Sequence, residues 1–238
     1  MRFITIFVLY TFLCTFSFSQ NDSIENEEII LYNEIMPSFP GGEEKRKSFI
    51  KLVQYYPDSA KARGIEGKVY VQFLVGKKGK LSNIKVLRSP DTLLSQEANR
   101  IVELMPNWIP GTNFNGDSAE VKITIPIEFK INHDHVFRAV DTMPSFPGGD
   151  SKMFEYLAKN LNLVGYEFKN GIKSKFYFEF IIEKDGSLSN LKMLRNQDEE
   201  ILKYAIQAFI KMPNWNPGKL NTNLVRVKMI LPMNICLR

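Results

Sequence analysis

The chain has 238 residues, 44% hydrophobic and 24% charged, with a formal net charge of +5. That is the composition of a folded globular protein. Its mild basic excess, with no basic run interleaved with aromatics, argues against a nucleic-acid partner. The two cysteines, Cys14 and Cys236, exclude a disulfide framework, because only Cys236 lies outside the N-terminal segment.

Arg2 opens an uncharged, largely apolar stretch from Phe3 to Phe18, and Ser17 and Ser19 then sit at the −3 and −1 positions ahead of Gln20. This pattern predicts a secretory signal peptide over residues 1–19. The apolar stretch is short for a membrane span, which needs roughly 20 residues. Retained rather than cleaved, it would be an inner-membrane anchor, and membrane association is expected only in that case. Cys14 follows the bulky Leu13 and does not read as a lipoprotein site. Residues 20–28 are polar and acidic and read as a flexible lead.

From Met36 the chain begins a sentence that it later repeats. Met36-Pro37-Ser38-Phe39-Pro40-Gly41-Gly42 returns 107 positions later as Met143-Pro144-Ser145-Phe146-Pro147-Gly148-Gly149. Leu81-Ser82-Asn83 returns at the same offset as Leu188-Ser189-Asn190, and Met105-Pro106-Asn107-Trp108 as Met212-Pro213-Asn214-Trp215. The constant offset predicts two tandem domains, 29–131 and 136–238, each of ordinary domain size. Residues 132–135, Asn-His-Asp-His, are a short polar link that leaves little independent reach.

In the first copy the Pro-Gly-Gly turn predicts a helix from Glu43 to Tyr55, with acids at its positive end. A short helix from Pro57 to Arg63 follows, stopped by Gly64. Val69, Val71, Phe73 and Val75 alternate as a strand does, and Gly79 turns the chain into a return strand from Leu81 to Leu87. Asp91 is placed to cap a helix bearing Leu94, Ala98, Ile101, Val102 and Met105. Val121, Ile123, Ile125, Ile127, Phe129 and Ile131 then alternate along a final strand. The second copy repeats this order. Phe176, Phe178, Phe180 and Ile182 line its first strand, Asp185-Gly186 turns the hairpin, Asp198 caps a helix with Leu202, Ala205, Phe209 and Met212, and Val225 to Ile235 alternate at the end. Cys236, in that last strand, reads as an inert buried thiol. The fold class is α+β: two tandem copies of a three-stranded antiparallel sheet packed with two or three helices.

This element order, with Tyr56-Pro57, Ala60, Ala62, Gly64-Ile65-Glu66-Gly67, Trp108-Ile109-Pro110-Gly111 and Ile125-Pro126-Ile127-Glu128-Phe129-Lys130, resembles the C-terminal domain of TonB. The second copy departs from the pattern, with Asn162 to Phe168 in place of the Tyr-Pro-x-x-Ala segment and Ser174 in place of the second glycine. No Pro-rich spacer is present, so the resemblance supports a binding module better than a complete energy transducer.

The resemblance implies an exported, periplasmic, non-enzymatic protein that takes an extended partner segment as an added strand on the edge of the last strand. The partner implied is an envelope protein, such as an outer-membrane TonB-dependent receptor. The edges run from Glu120 to Lys130 and from Leu224 to Asn234, and the expected contact residues are Val121, Lys122, Ile123, Thr124, Ile125, Glu128, Lys130, Arg226 and Lys228. Pro126 and Pro232 mark edge strands and equally protect an edge from aggregation; in the second copy the protective reading is preferred. The alternative is a scaffolding role in which these edges pair with each other or with a second chain, as an oligomer.

The remaining motifs read as structure. The Phe-Pro-Gly-Gly turns start helices, Trp108 and Trp215 are packing residues, and Lys77, Lys78 and Lys80 form a solvated basic hairpin tip. His133-Asp134-His135 lacks the geometry of a metal site. No nucleophile–base arrangement, phosphate-binding glycine motif or metal spacing occurs, so no enzyme, cofactor or metal is expected.

Overall fold

The structure is a computed structural model that describes residues 35–161, 173–194 and 199–236. The expected leader and acidic lead, the remodelled segment from Asn162 to Phe168, and Asp198 lie outside the described residues, as does the side chain of Cys236.

The Pro-Gly-Gly turn delivers the chain into α1 (Gly42–Val53). Then come α2 (Asp58–Ala62), β1 (Gly67–Val75), β2 (Leu81–Arg88), α3 (Thr92–Glu103), the two-residue pair β3 (Gly111–Thr112) and β4 (Ser118–Ala119), and β5 (Val121–Phe129). Asp91 caps α3 as expected, its carboxylate accepting the Leu93 N–H at 2.8 Å. The sheet order is β2-β1-β5, antiparallel throughout, with Val71 opposite Ile125. Val69, Val71, Phe73 and Val75 are wholly buried on one face of β1, against Leu94, Ala98 and Ile101 of α3 and Phe49 and Leu52 of α1. Burying each large side chain contributes about 1.5–3 kcal/mol.

The second half repeats the plan with additions. It contains β6 (Val136–Phe137), α4 (Gly149–Asn160), β7 (Lys173–Ile182), β8 (Leu188–Met193), α5 (Glu199–Phe209), β9 (Gly218–Leu220) and β10 (Asn223–Cys236). Its order is β6-β10-β7-β8, with β9 also on β10. The antiparallel core β10-β7-β8 matches expectation. The parallel pairing of β6 with β10, Val136 opposite Arg226 and Phe137 opposite Val227, was not expected.

The repeated motifs have a common structural reason. Phe39 meets Trp108 edge-on with ring centroids 6.0 Å apart, and Phe146 meets Trp215 at 5.6 Å. Each tryptophan also packs on the first strand of its sheet, through Phe73 and Phe180. The backbone N–H of Trp108 donates to the Gly79 carbonyl at 2.8 Å, and that of Trp215 to the Gly186 carbonyl at 2.8 Å, so each hairpin tip is clamped onto the backbone of its tryptophan. A Cβ at Gly79 would lie 1.9 Å from the Trp108 carbonyl oxygen, and one at Gly186 would lie 2.1 Å from that of Trp215. The repeated Ser-Asn likewise places Asn83 and Asn190 in the left-handed region, at φ 52° and 53°, beside the register shifts of the two hairpins. Asparagine tolerates this backbone better than other side chains.

The two halves pack against one another, and the described residues form one unit. Helix α1 lies against β8. Lys51 donates to the Ser187 hydroxyl at 2.6 Å and sits 3.5 Å from Asp185, and the Lys192 ammonium lies 5.7 Å over the Tyr55 ring. The face of β7 turned away from its own helices is therefore covered as well, leaving Glu179 and Ile181 buried.

Candidate functional site

Among the described residues, strand β5 is the edge of its sheet, with β1 on one side only. In an antiparallel ladder, alternate residues turn both backbone groups toward the neighbour and the rest turn them away. Two contacts fix the phase. The Ile131 N–H points back to the Glu66 carboxylate beside β1, while the Glu128 carbonyl points the other way and accepts from the Gln54 side chain at 2.8 Å. Odd-numbered residues therefore bond to β1. Lys122, Thr124, Pro126 and Glu128 face the open side. Pro126, which has no N–H, occupies a position where none is needed for the ladder.

The side chains sort by the same parity. Val121 and Ile125 are buried in the core and Ile123 is half-buried, so of the expected contact residues these three can offer a visitor little. Lys122, Thr124, Glu128 and Lys130 are exposed. The open edge thus offers N–H groups at Lys122, Thr124 and Glu128 and carbonyls at Lys122, Thr124 and Pro126.

Arg226 and Lys228 lie elsewhere. Arg226 is 7% exposed on β10 and grips Glu183 through Nε at 2.7 Å and a terminal nitrogen at 2.9 Å, with a further bond to the Asp134 carbonyl at 3.2 Å. Lys228 lies 3.1 Å from Glu179, which also takes Lys192 at 3.0 Å. Burial pushes the Glu183 carboxyl up, but hydrogen bonds from Arg226 and Ser189 outweigh it and hold the group below its usual range. The same balance, with Lys192 and Lys228 as donors, lowers Glu179. At Arg226 and Val227 the edge of β10 is already occupied by β6. The link holding β6 is itself pinned, because Asp134 pairs with Lys184 at 2.8 Å.

The fold brings these two sets of residues to one place. Pro126 and Glu128 of β5, Ile50 of α1 and Tyr55 just after it, and Arg226 and Lys228 of β10 line a groove of about 840 Å³ between the halves. The N-terminal part of β5 lies outside it. Sequence reasoning did not find this groove, because its walls come from alternate strand positions that look like ordinary solvent faces.

Residues 53–131 match the family described as Gram-negative bacterial TonB protein C-terminal. The matched residues lie in the first half, from the end of α1 to just past β5, and are similar to a TonB C-terminal domain. The solution structure of the Helicobacter pylori TonB C-terminal domain, residues 179–285, is also similar. It is 27% identical over 38% of this chain and 81% of that one, with a TM-score of 0.31. A search of curated proteins returned no match. TonB C-terminal domains are non-enzymatic modules of cell-envelope proteins. Among the described residues no helix is long and apolar enough to cross a membrane, and no three His, Cys, Asp or Glu side chains gather as a metal site.

Proposed function

We propose that this protein is an exported, periplasmic envelope component that holds an extended segment of a partner protein as an added strand on the open edge of β5. The partner class is an outer-membrane TonB-dependent receptor or a protein presenting a similar exposed segment. Residues 1–19 serve as the export signal, 29–131 as the binding domain and 136–238 as a divergent second domain. The observation that carries this reading is the run of outward-facing backbone groups at Lys122, Thr124 and Pro126, on a strand with no second neighbour among the described residues. Main-chain bonds would supply affinity, and the exposed Lys122, Thr124, Glu128 and Lys130 would choose among sequences.

The test is a titration with fluorescent peptides from receptor plug segments. Thr124→Pro deletes one outward N–H and leaves the β1 ladder intact. Losing about 1 kcal/mol of hydrogen bonding, with the added bulk of the ring, should weaken binding roughly tenfold. Equal affinity for the variant and the parent would remove β5 as the site.

A scaffolding role is a second reading, favoured by one observation: the chain already pairs its own β6 with β10. Partner-free dimers whose formation depends on β5 would support it over peptide capture.

A further inference from the structure

One end of the first half carries a surface that strand addition does not use. Three ribbons lie side by side there. The Gly79 carbonyl accepts from Trp108, Ser38 and Ile109 exchange two backbone hydrogen bonds at 2.8 and 3.0 Å, and Ile35 bridges to Thr112. Neighbouring ribbons of this kind lie about 5 Å apart. On them, and on the loop that follows β3, Ile35, Met36, Ile109 and Phe114 are 60%, 59%, 54% and 64% exposed. Lys77, Lys78 and Lys80 stand on the hairpin tip beside them, all exposed.

Phe114 is held in place. Asn113 Oδ1 accepts from the Asn115 N–H at 3.0 Å and the Asp117 N–H at 2.9 Å, and the Gly116 N–H returns to the Asn113 carbonyl at 3.0 Å. A loop bonded this tightly presents its aromatic ring instead of folding over it.

The second half supplies an internal comparison. Where the first half has Lys78 and Lys80, it has Asp185 and Ser187, and both meet Lys51 inside the molecule. Where the first half has Ile35 and Ile109, the second has Thr142 and Asn216. The tip that is used internally keeps Met143 and a single lysine, Lys184, which pairs with Asp134, and has lost the other two lysines and both isoleucines. The tip that keeps them has no ion pair among the described residues. Against the three lysines the chain sets Asp117 and Glu120 on the neighbouring segment and Glu34 next to Ile35 in sequence, so the positive charge is local to the hairpin tip.

We propose that this end of the first half docks on an anionic lipid surface, with Phe114, Ile109, Met36 and Ile35 entering the interface and Lys77, Lys78 and Lys80 meeting the headgroups. Large apolar side chains on loop tips, ringed by lysines, match the apolar and anionic layers of a bilayer surface. The contact is peripheral and does not depend on residues 3–18. It would keep the binding edge of β5 close to a membrane while leaving that edge open.

The test uses the full chain carrying Phe114→Trp, mixed with phosphatidylglycerol–phosphatidylethanolamine vesicles whose acyl chains are brominated. The introduced indole should be quenched well beyond any change in the parent chain, whose Trp108 and Trp215 are buried. Adding Lys77→Gln, Lys78→Gln and Lys80→Gln should weaken the vesicle dependence of quenching by roughly 100-fold, at about fivefold per lysine. Phosphatidylcholine vesicles should give little quenching. Absence of quenching, equal quenching on neutral vesicles, or no response to the lysine substitutions would each overturn the proposal. Because the readout sits at residue 114, it is independent of whether β5 binds a peptide.

Discussion

Gly79→Ala should be among the most damaging single-methyl additions in the first half. Two costs combine. Gly79 has φ +78°, where a side chain costs about 1–2 kcal/mol. Its new Cβ would also sit 1.9 Å from the Trp108 carbonyl oxygen, backbone that cannot rotate away. Relief requires opening the Trp108–Gly79 hydrogen bond, about 1 kcal/mol, and easing Trp108 off Phe39 and Phe73, about another 1 kcal/mol for the two aromatic contacts. The total is about 3–4 kcal/mol. Gly116→Ala is the control: φ is +81°, but nothing lies within 4 Å, so only the backbone cost of about 1–2 kcal/mol applies. Urea unfolding followed by tryptophan fluorescence measures both as midpoint shifts at constant slope. Equal losses for the two variants would refute the clamp between hairpin tip and tryptophan.

The contacts of the second sheet yield further predictions. Arg226→Ala strands Glu183 in a nearly closed site and should cost about 3 kcal/mol by the same unfolding assay. Lys51→Ala, which removes an exposed pair between the halves, should cost under about 1 kcal/mol. Glu179 and Glu183 titrate below the ordinary glutamate value of 4.5 in the folded protein. Their stabilisation is therefore full above the unfolded pKa and is lost as pH falls through the folded one. Stability measured from pH 7 downward should begin to drop near pH 4.5, and Glu183→Gln should flatten that acid limb; an unchanged slope would show that Glu183 is not held by Arg226.

Much of this arrangement was legible in the chain because burial on one face of a strand has a period of two. Val69 to Val75, Phe176 to Ile182 and Val121 to Phe129 could be assigned to core faces for that reason, and Asp91 could be assigned as a cap from its place before an apolar helix. β6 left no such trace, since two residues carry no period. Glu179 and Glu183 looked like a solvent face because their partners Lys192, Lys228 and Arg226 lie on other strands. Arg226 was expected at a partner surface and instead closes an internal pair. The repeated Leu-Ser-Asn was visible, but the left-handed backbone that it serves follows only from the hairpin register. The tryptophans were read as packing residues, yet their grip on the hairpin glycines requires the fold to bring residues 79 and 108 together.

Amide hydrogen exchange along β5, with and without a receptor plug peptide, reaches the binding edge most directly. Saturating peptide should slow exchange at Lys122, Thr124 and Glu128, whose N–H groups face outward, and leave Val121, Ile123, Ile125 and Ile127 unchanged because β1 already protects them. Uniform protection of all seven, or protection confined to β10, would contradict strand addition at this edge.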